Sequence, residues 1–174
     1  MPILSDYARK KKIEYFTRGL PKQSKILEVG CGDKWLGEAL RQVGFVNYTG
    51  LDIVPQADIV GDIKHWRALG IEPASFDVII AFELIEHIDC ISECFDILRP
   101  GGLLMLSSPV PHMDWMCWIL ENLGLNQKRT SPHTNLVYFR DLRLFEPIQI
   151  KIVGAMAQWG TFRKPAPSLT KVAV

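Results

Sequence analysis

No stretch of the 174 residues is both long and free of charge, so nothing in the sequence reads as a membrane-spanning helix. Asp6 and the run Arg9-Lys10-Lys11-Lys12 interrupt a secretory-leader reading of the N-terminus, and a cytoplasmic protein is the expectation. Cysteine is sparse. Cys31, Cys90, Cys94 and Cys117 contain no C-x-x-C pair, which argues against a disulfide framework and for free thiols. Cys90 and Cys94 would share a helix face, but no histidine stands at ligand spacing from them, so no metal site is expected. An excess of one charge is also missing: 20 lysines and arginines face 19 acids. No global field therefore draws the chain to nucleic acid or to an anionic bilayer. The one dense basic cluster, Arg9 to Lys12, reads as the solvated face of a first helix or, alternatively, as a contact for a phosphate-bearing or acidic-lipid partner. Internal repeats and low-complexity tracts are absent. The length suits one domain with little room for a separate substrate domain.

What is present centres on Lys25 to Leu40, KILEVGCGDKWLGEAL. Ile26, Leu27 and Val29 form a buried strand; Gly30 and Gly32 permit a sharp turn and close approach to a ligand. Asp33 can cap a helix whose apolar stripe is Leu36, Leu40 and Val43, with Gly44 as its stop. A dinucleotide fingerprint, Gly-x-Gly-x-x-Gly, needs a third glycine where this chain has Trp35, which disfavours an NAD(P) oxidoreductase. Glu28, two residues before the first glycine, suits a ligand carrying an amino group.

Strand and helix patterns then alternate: strand near 25–30, helix 34–43, strands 48–53 and 58–61, a short helix around 65–69, strand 76–82, helix 90–98 and strand 102–108. Such alternation implies a parallel sheet covered by helices on both faces. Ile91, Phe95 and Leu98 mark the core stripe of the fourth-strand helix, which Pro100 ends. Residues 1–20 read as a helical arm and 25–109 as the core. Asp114 can cap a short helix from Trp115 to Leu123. EPIQIKIVGAM, from Glu146, and SLTKVAV read as the last two strands, making 147–174 a C-terminal strand region, with FRKPAP as their connection.

The order E-V-G-C-G-D-K, YTGLDI, IVGDI, FDVIIAFELIEHI and LRPGGLLMLSSP resembles the class I S-adenosylmethionine-dependent methyltransferases, particularly those of quinone and other small-metabolite biosynthesis. The resemblance covers Lys25 to Pro109. It implies an α/β single domain with a doubly wound, mostly parallel seven-stranded sheet whose last strand is antiparallel. It also implies S-adenosylmethionine as cofactor, S-adenosylhomocysteine as product and a small-molecule methyl acceptor, without nucleic acid. Carried over by position, Gly30 and Gly32 approach the methionine and ribose, Glu28 orients the amino group, Asp52 holds the ribose, and Asp62 with Ile63 holds the adenine. Cys31, Asp33, Ile53, Gly61, Phe82 and Glu83 flank these positions as further contacts. Lys34 stands in place of the family's last glycine, where it can pair with the cofactor carboxylate, point to solvent or intrude on the pocket.

His87 and His112, after the fourth and fifth strands, are candidate general bases, with loop positioning as the other reading of His87. The absence of an Asn/Asp-Pro-Pro-aromatic turn and of a proline-cysteine pair argues against base methylation. His112, Trp115, Trp118 and His133 in the segment 110–138 are candidate acceptor contacts, because Trp115, Met116, Trp118 and Ile119 make the helix apolar on more than one face. That surplus suits a lid, a second subunit of a homodimer, or peripheral contact with a membrane. A monomer remains equally open, as does a non-catalytic binding or scaffold protein on the same fold.

Overall fold

The computed structural model describes residues 3–125 and 132–166, with side chains from Tyr7 onward. Seven strands lie in the order β3-β2-β1-β4-β5-β7-β6. They are β1 (Ile26–Val29), β2 (Tyr48–Asp52), β3 (Ile59–Val60), β4 (Phe76–Phe82), β5 (Leu98–Pro109), β6 (Glu146–Val153) and β7 (Ala157–Arg163). The first five are parallel, and β7 runs antiparallel between β5 and β6. The expected doubly wound sheet is thus observed. Insertion of β7 beside β5 departs from the 3-2-1-4-5-6 order of dinucleotide-binding sheets.

Strand alternation distributes the apolar residues to two cores. Val78 and Ile80 join Ile26, Met105 and Trp159 on one face, covered by Leu36, Leu40 and Phe45 and by Phe16 of α1 (Ile3–Phe16). Ile79 and Ala81 join Leu27, Val29, Leu51, Leu104 and Leu106 on the other, beneath Trp66, Cys94, Ile97 and Phe139. Helix α2 (Trp35–Gln42) buries Leu36 and Leu40 as expected. Val43 is instead its exposed C-terminal neighbour, because the helix has already ended. In α3 (Ile91–Ile97) the deepest residues are Cys94 and Ile97, and Leu98 has turned extended to begin β5 opposite Phe76. All four cysteines are buried and none is in a disulfide.

The end of the sheet differs from the sequence expectation. Gly154 and Ala155 both hold positive φ, 57° and 59°, and close a tight hairpin. The seventh strand therefore follows at once and includes Phe162 and Arg163, which the sequence reading placed in a connection. SLTKVAV lies outside the described residues. Among the described residues no helix is long and apolar enough to cross a membrane.

Candidate active site at the carboxyl edge of the sheet

The turn after β1 is built from alternate left-handed residues: Gly30, Gly32 and Lys34 have φ of 77°, 49° and 60°. The Gly30 and Cys31 amides donate to the Leu51 carbonyl, fixing the turn against β2. A side chain at Gly32 would point into open space, so the backbone there is accessible to a ligand. Lys34 occupies a conformation that glycine adopts more readily. Its ammonium is bonded to Asp58, whose other oxygen accepts the Gly50 amide at 2.8 Å. The side chain thus serves the turn itself, rather than solvent or the cleft.

Asp52, at the tip of β2, accepts the Gly32 amide at 2.8 Å and faces the Val54 amide at 3.3 Å. A carboxylate has about four lone-pair sites, so both oxygens retain acceptor capacity for a diol. Ile53 beside it is 74% exposed and offers an apolar face. Ile63 does not, because the core below β2 buries it. Of the two positions, Ile53 is the one whose side chain is open to a ligand. Asp62 caps the following 3-10 turn through the Lys64 amide at 2.9 Å, and the Gly61 amide donates to the Asp52 carbonyl.

Other expected contacts are used internally. Glu28 is buried and receives the Tyr48 hydroxyl; burial, only partly offset by that bond, pushes its pKa up to about 8. The Cys31 thiol is buried over Gly50, and burial with the nearby Glu28 charge pushes it up to about 12, so Cys31 can offer a ligand only its backbone. Asp33 accepts the Trp35 amide and lies 3.8 Å from Arg9, whose guanidinium stacks on Trp35. Phe82 is covered by Phe16, with ring centroids 4.8 Å apart.

Helix α1 lies across this edge, and its basic run is not simply a solvated face. Lys12 is 7% exposed and donates to Glu83 at 2.6 Å. Glu83 has a φ of 50° and also accepts the Ser107 hydroxyl at 2.8 Å. Desolvation would raise the Glu83 carboxyl, but Lys12 and Ser107 outweigh it and hold the group below the usual carboxylate range. Glu86 is raised, first by burial and then by the Glu83 charge.

The chain returning after α4 (Asp114–Asn122) docks on the loop after β4. The Thr134 and Asn135 amides both donate to the Glu86 carbonyl at 2.9 Å, and the Asn135 side chain donates to the Ile85 carbonyl. Gln158 pins the next residues by donating to the Val137 and Pro109 carbonyls and accepting the Phe139 amide. His133 is brought against His87, with ring centroids 4.8 Å apart. His87 Nδ1 faces the Pro132 carbonyl at 3.2 Å, and His133 Nδ1 faces the Asp114 carboxylate at 2.5 Å. Asp114 is the first residue of α4, with Met113 in the cap position the sequence reading gave to Asp114, and its carboxylate pairs with His133. Glu86, His87 and His133 place one ligand-type atom each within 4.8 Å of the others. His112 stands apart, stacked on Tyr138 and 3.1 Å from its hydroxyl. Trp115 and Trp118 are 55% and 58% exposed.

Sequence reasoning assigned no site role to Tyr48 and Ser107, although both lie inside quoted motifs, read Asp114 only as a helix cap, and passed over Asp58, Tyr138 and Gln158, which lie in no motif. Their roles come from register and from the return of a distant segment. Lys12 carried a signal, as one basic residue of a helix that must cross the sheet edge.

Comparison with known proteins converges on one family. Residues 4–144 match the model of the methyltransferase domain. The ubiquinone biosynthesis O-methyltransferase of Idiomarina loihiensis is 32% identical over 147 residues, covering 72% of this chain and 60% of that protein. The enzyme of the same name from Xylella fastidiosa is 29% identical over 116 residues, covering 56% and 47%. The chain thus spans about half to three fifths of the length of these relatives. Among solved structures, a Pyrococcus horikoshii protein superposes with a TM-score of 0.66 at 18% identity, covering 91% of each chain. A Methanosarcina mazei S-adenosylmethionine-dependent methyltransferase gives 0.62 at 16%, covering 87% and 97%. With the strand order, the glycine turn and a family match over most of its length in agreement, the chain belongs to the methyltransferase-domain family, in its class I fold.

Proposed function

We propose that the chain binds S-adenosylmethionine in the cleft between the β1 turn and the tip of β2, and transfers its methyl group to a small-molecule acceptor. The observation that carries this reading is Asp52, held by the Gly32 amide at the open side of the turn. The residues fit the cofactor: Asp52 for the ribose hydroxyls, Ile53 for a face of the adenine, Asp62 for its amino group, and the Gly30–Gly32 backbone for the amino-acid end. Glu83 joins that end from β4, with Lys12 balancing its charge. Glu28, engaged by Tyr48, supports the turn from below and acts on the ligand only indirectly.

The sulfonium supplies an activated methyl group. The protein's share is to hold an acceptor in line with it and to exclude water. Similarity to ubiquinone O-methyltransferases favours a hydroxyl as acceptor, placed beside α4 and residues 132–138. His112, backed by the Tyr138 hydroxyl, is the group suited to take the hydroxyl proton, and Trp115 and Trp118 are apolar surface available to cover a ring.

Calorimetry with S-adenosylhomocysteine tests the cofactor assignment. Asp52→Ala removes charge-assisted bonds worth about 1.5–3 kcal/mol, so affinity falls on the order of ten- to a hundred-fold. Equal affinity in the variant would refute the ribose role.

A further inference from the structure

The two edges of the sheet are finished differently. At one edge β3 has only two residues, Ile59–Val60, too short a stretch to template another strand. At the other, β6 has eight, Glu146–Val153, and among the described residues no strand pairs its outer side. A row of outward amides and carbonyls therefore stays open there. The usual guards against further pairing are confined to the start of the strand: Pro147 lacks an amide donor, and the bulge between Pro147 and Gln149 leaves Ile148 without a β7 partner. From Gln149 to Val153 the register is regular. Lys151, the one charge in that stretch, lies back over the Tyr15 ring at 5.8 Å instead of shielding the edge. Apolar side chains line the same strand. Ile148, Ile150 and Ile152 are 37–54% exposed, and Leu144, just before β6, is 47% exposed. Ile150 pairs with Gly160, which has no side chain to cover it.

We propose that β6 is a homodimer interface, pairing antiparallel with β6 of a second copy across a two-fold axis so that the two sheets join edge to edge. The strand's own residues select a second copy as the occupant. Centred on Ile150, the pairing sets Ile150 against Ile150 of the copy and Gln149 against Lys151, so that apolar meets apolar and no like charges face each other. Centred on Lys151 it would oppose two lysines, and centred on Gln149 it would set the bulge beside the axis; the register is thus specified by what the alternatives cost. A ladder this short, with four exposed apolar side chains on each copy, falls below the roughly 1,600 Å² of a standard interface, so the dissociation constant is on the order of micromolar. β4, β5 and β7 separate β6 from the β1 turn, and the interface stands independently of the cofactor cleft.

Sedimentation velocity on the full chain tests the association: monomer should give way to dimer as concentration rises from about 1 to about 200 μM. Ile150→Lys, which sets two ammonium groups against each other at the axis, should weaken association about ten-fold or more. Its far-ultraviolet dichroism should match the wild type's, because the side chain it replaces is already partly exposed. Ile150→Cys supplies the geometric readout. Opposed Cβ atoms about 4.5–5.5 Å apart lie close to disulfide reach, so mild oxidation should give a covalent dimer. The four native cysteines are buried, and Val60→Cys, at an exposed position on the opposite edge of the sheet, should stay monomeric under the same treatment. A monomer mass at every concentration, association unchanged in Ile150→Lys, or cross-linking no greater at position 150 than at position 60 would overturn the proposal.

Discussion

At the scale of single residues, Glu28 shows how a motif residue is put to structural use. Its position two residues before the first glycine suggests a ligand contact, yet the hydroxyl of Tyr48, two residues before its β2 partner Gly50, bonds its carboxyl. With the folded pKa raised to about 8 against an ordinary value of 4.5, the native state holds a proton that the unfolded chain has released. Stability from this group is complete below about pH 4.5 and declines as pH rises to about 8. Glu28→Gln keeps an acceptor for the Tyr48 hydroxyl without an ionisable proton. Its melting temperature should therefore exceed the wild type's at pH 8.5 and approach it at pH 5; a constant difference across that range would show that Glu28 is ionised in the fold. Lys34 makes a complementary point. Replacing it with glycine relieves a left-handed backbone but removes the Asp58 ion pair, effects of opposite sign and each about 1 kcal/mol or less. Its stability in urea should lie within about 1 kcal/mol of wild type.

Elements differ in how much of the molecule they hold up. Leu40 of α2 is fully buried, and Leu40→Ala should cost about 2–5 kcal/mol of global stability. Helix α1 is anchored at its margins: by Phe16 with Ile13 and Tyr15 against the core, by Arg9 on Trp35 and Asp33, and by the Lys12–Glu83 pair at the edge. The Glu83 side chain is half exposed, so Lys12→Ala should cost only about 1 kcal/mol. Amide exchange in residues 7–16 should accelerate while exchange in β1 and β4 stays slow; acceleration throughout would mean that α1 belongs to the global folding unit. The same distinction explains what sequence could disclose. β4 was legible to the residue, because a run of apolar residues on a doubly covered strand leaves little ambiguity. The hairpin between β6 and β7 was not, because Gly154-Ala155-Met156 reads as apolar strand until backbone φ is known. The placement of Asp52 beside the glycine turn was legible from its spacing, and the Gly32 amide does bond its carboxylate. The burial of Ile63 was not legible, because spacing does not say which face of its turn is buried, and the contact of His133 with His87 depends on a segment whose path no local pattern encodes.

For the whole molecule, the two cores lie on opposite faces of the sheet, and the cleft lies at its carboxyl edge. A ligand bridging the β1 turn and the β2 tip joins segments that unfolding separates, so binding is linked to global stability. At a concentration one hundred times Kd, S-adenosylhomocysteine should add about 2.7 kcal/mol. For a chain of this size that corresponds to a rise in melting temperature of about 5–10 °C. NADH should give none, since Trp35 replaces the last glycine of a dinucleotide turn and β7 interrupts the corresponding sheet. Asp52→Ala at the same ligand concentration, facing a Kd ten- to a hundred-fold weaker, should retain only about 0.4–1.4 kcal/mol of the gain. A scanning-fluorimetry series over ligand concentration checks all three together. A rise with NADH equal to that with S-adenosylhomocysteine, or full stabilisation of the Asp52 variant, would place the ligand somewhere other than the turn that the glycines and Asp52 enclose.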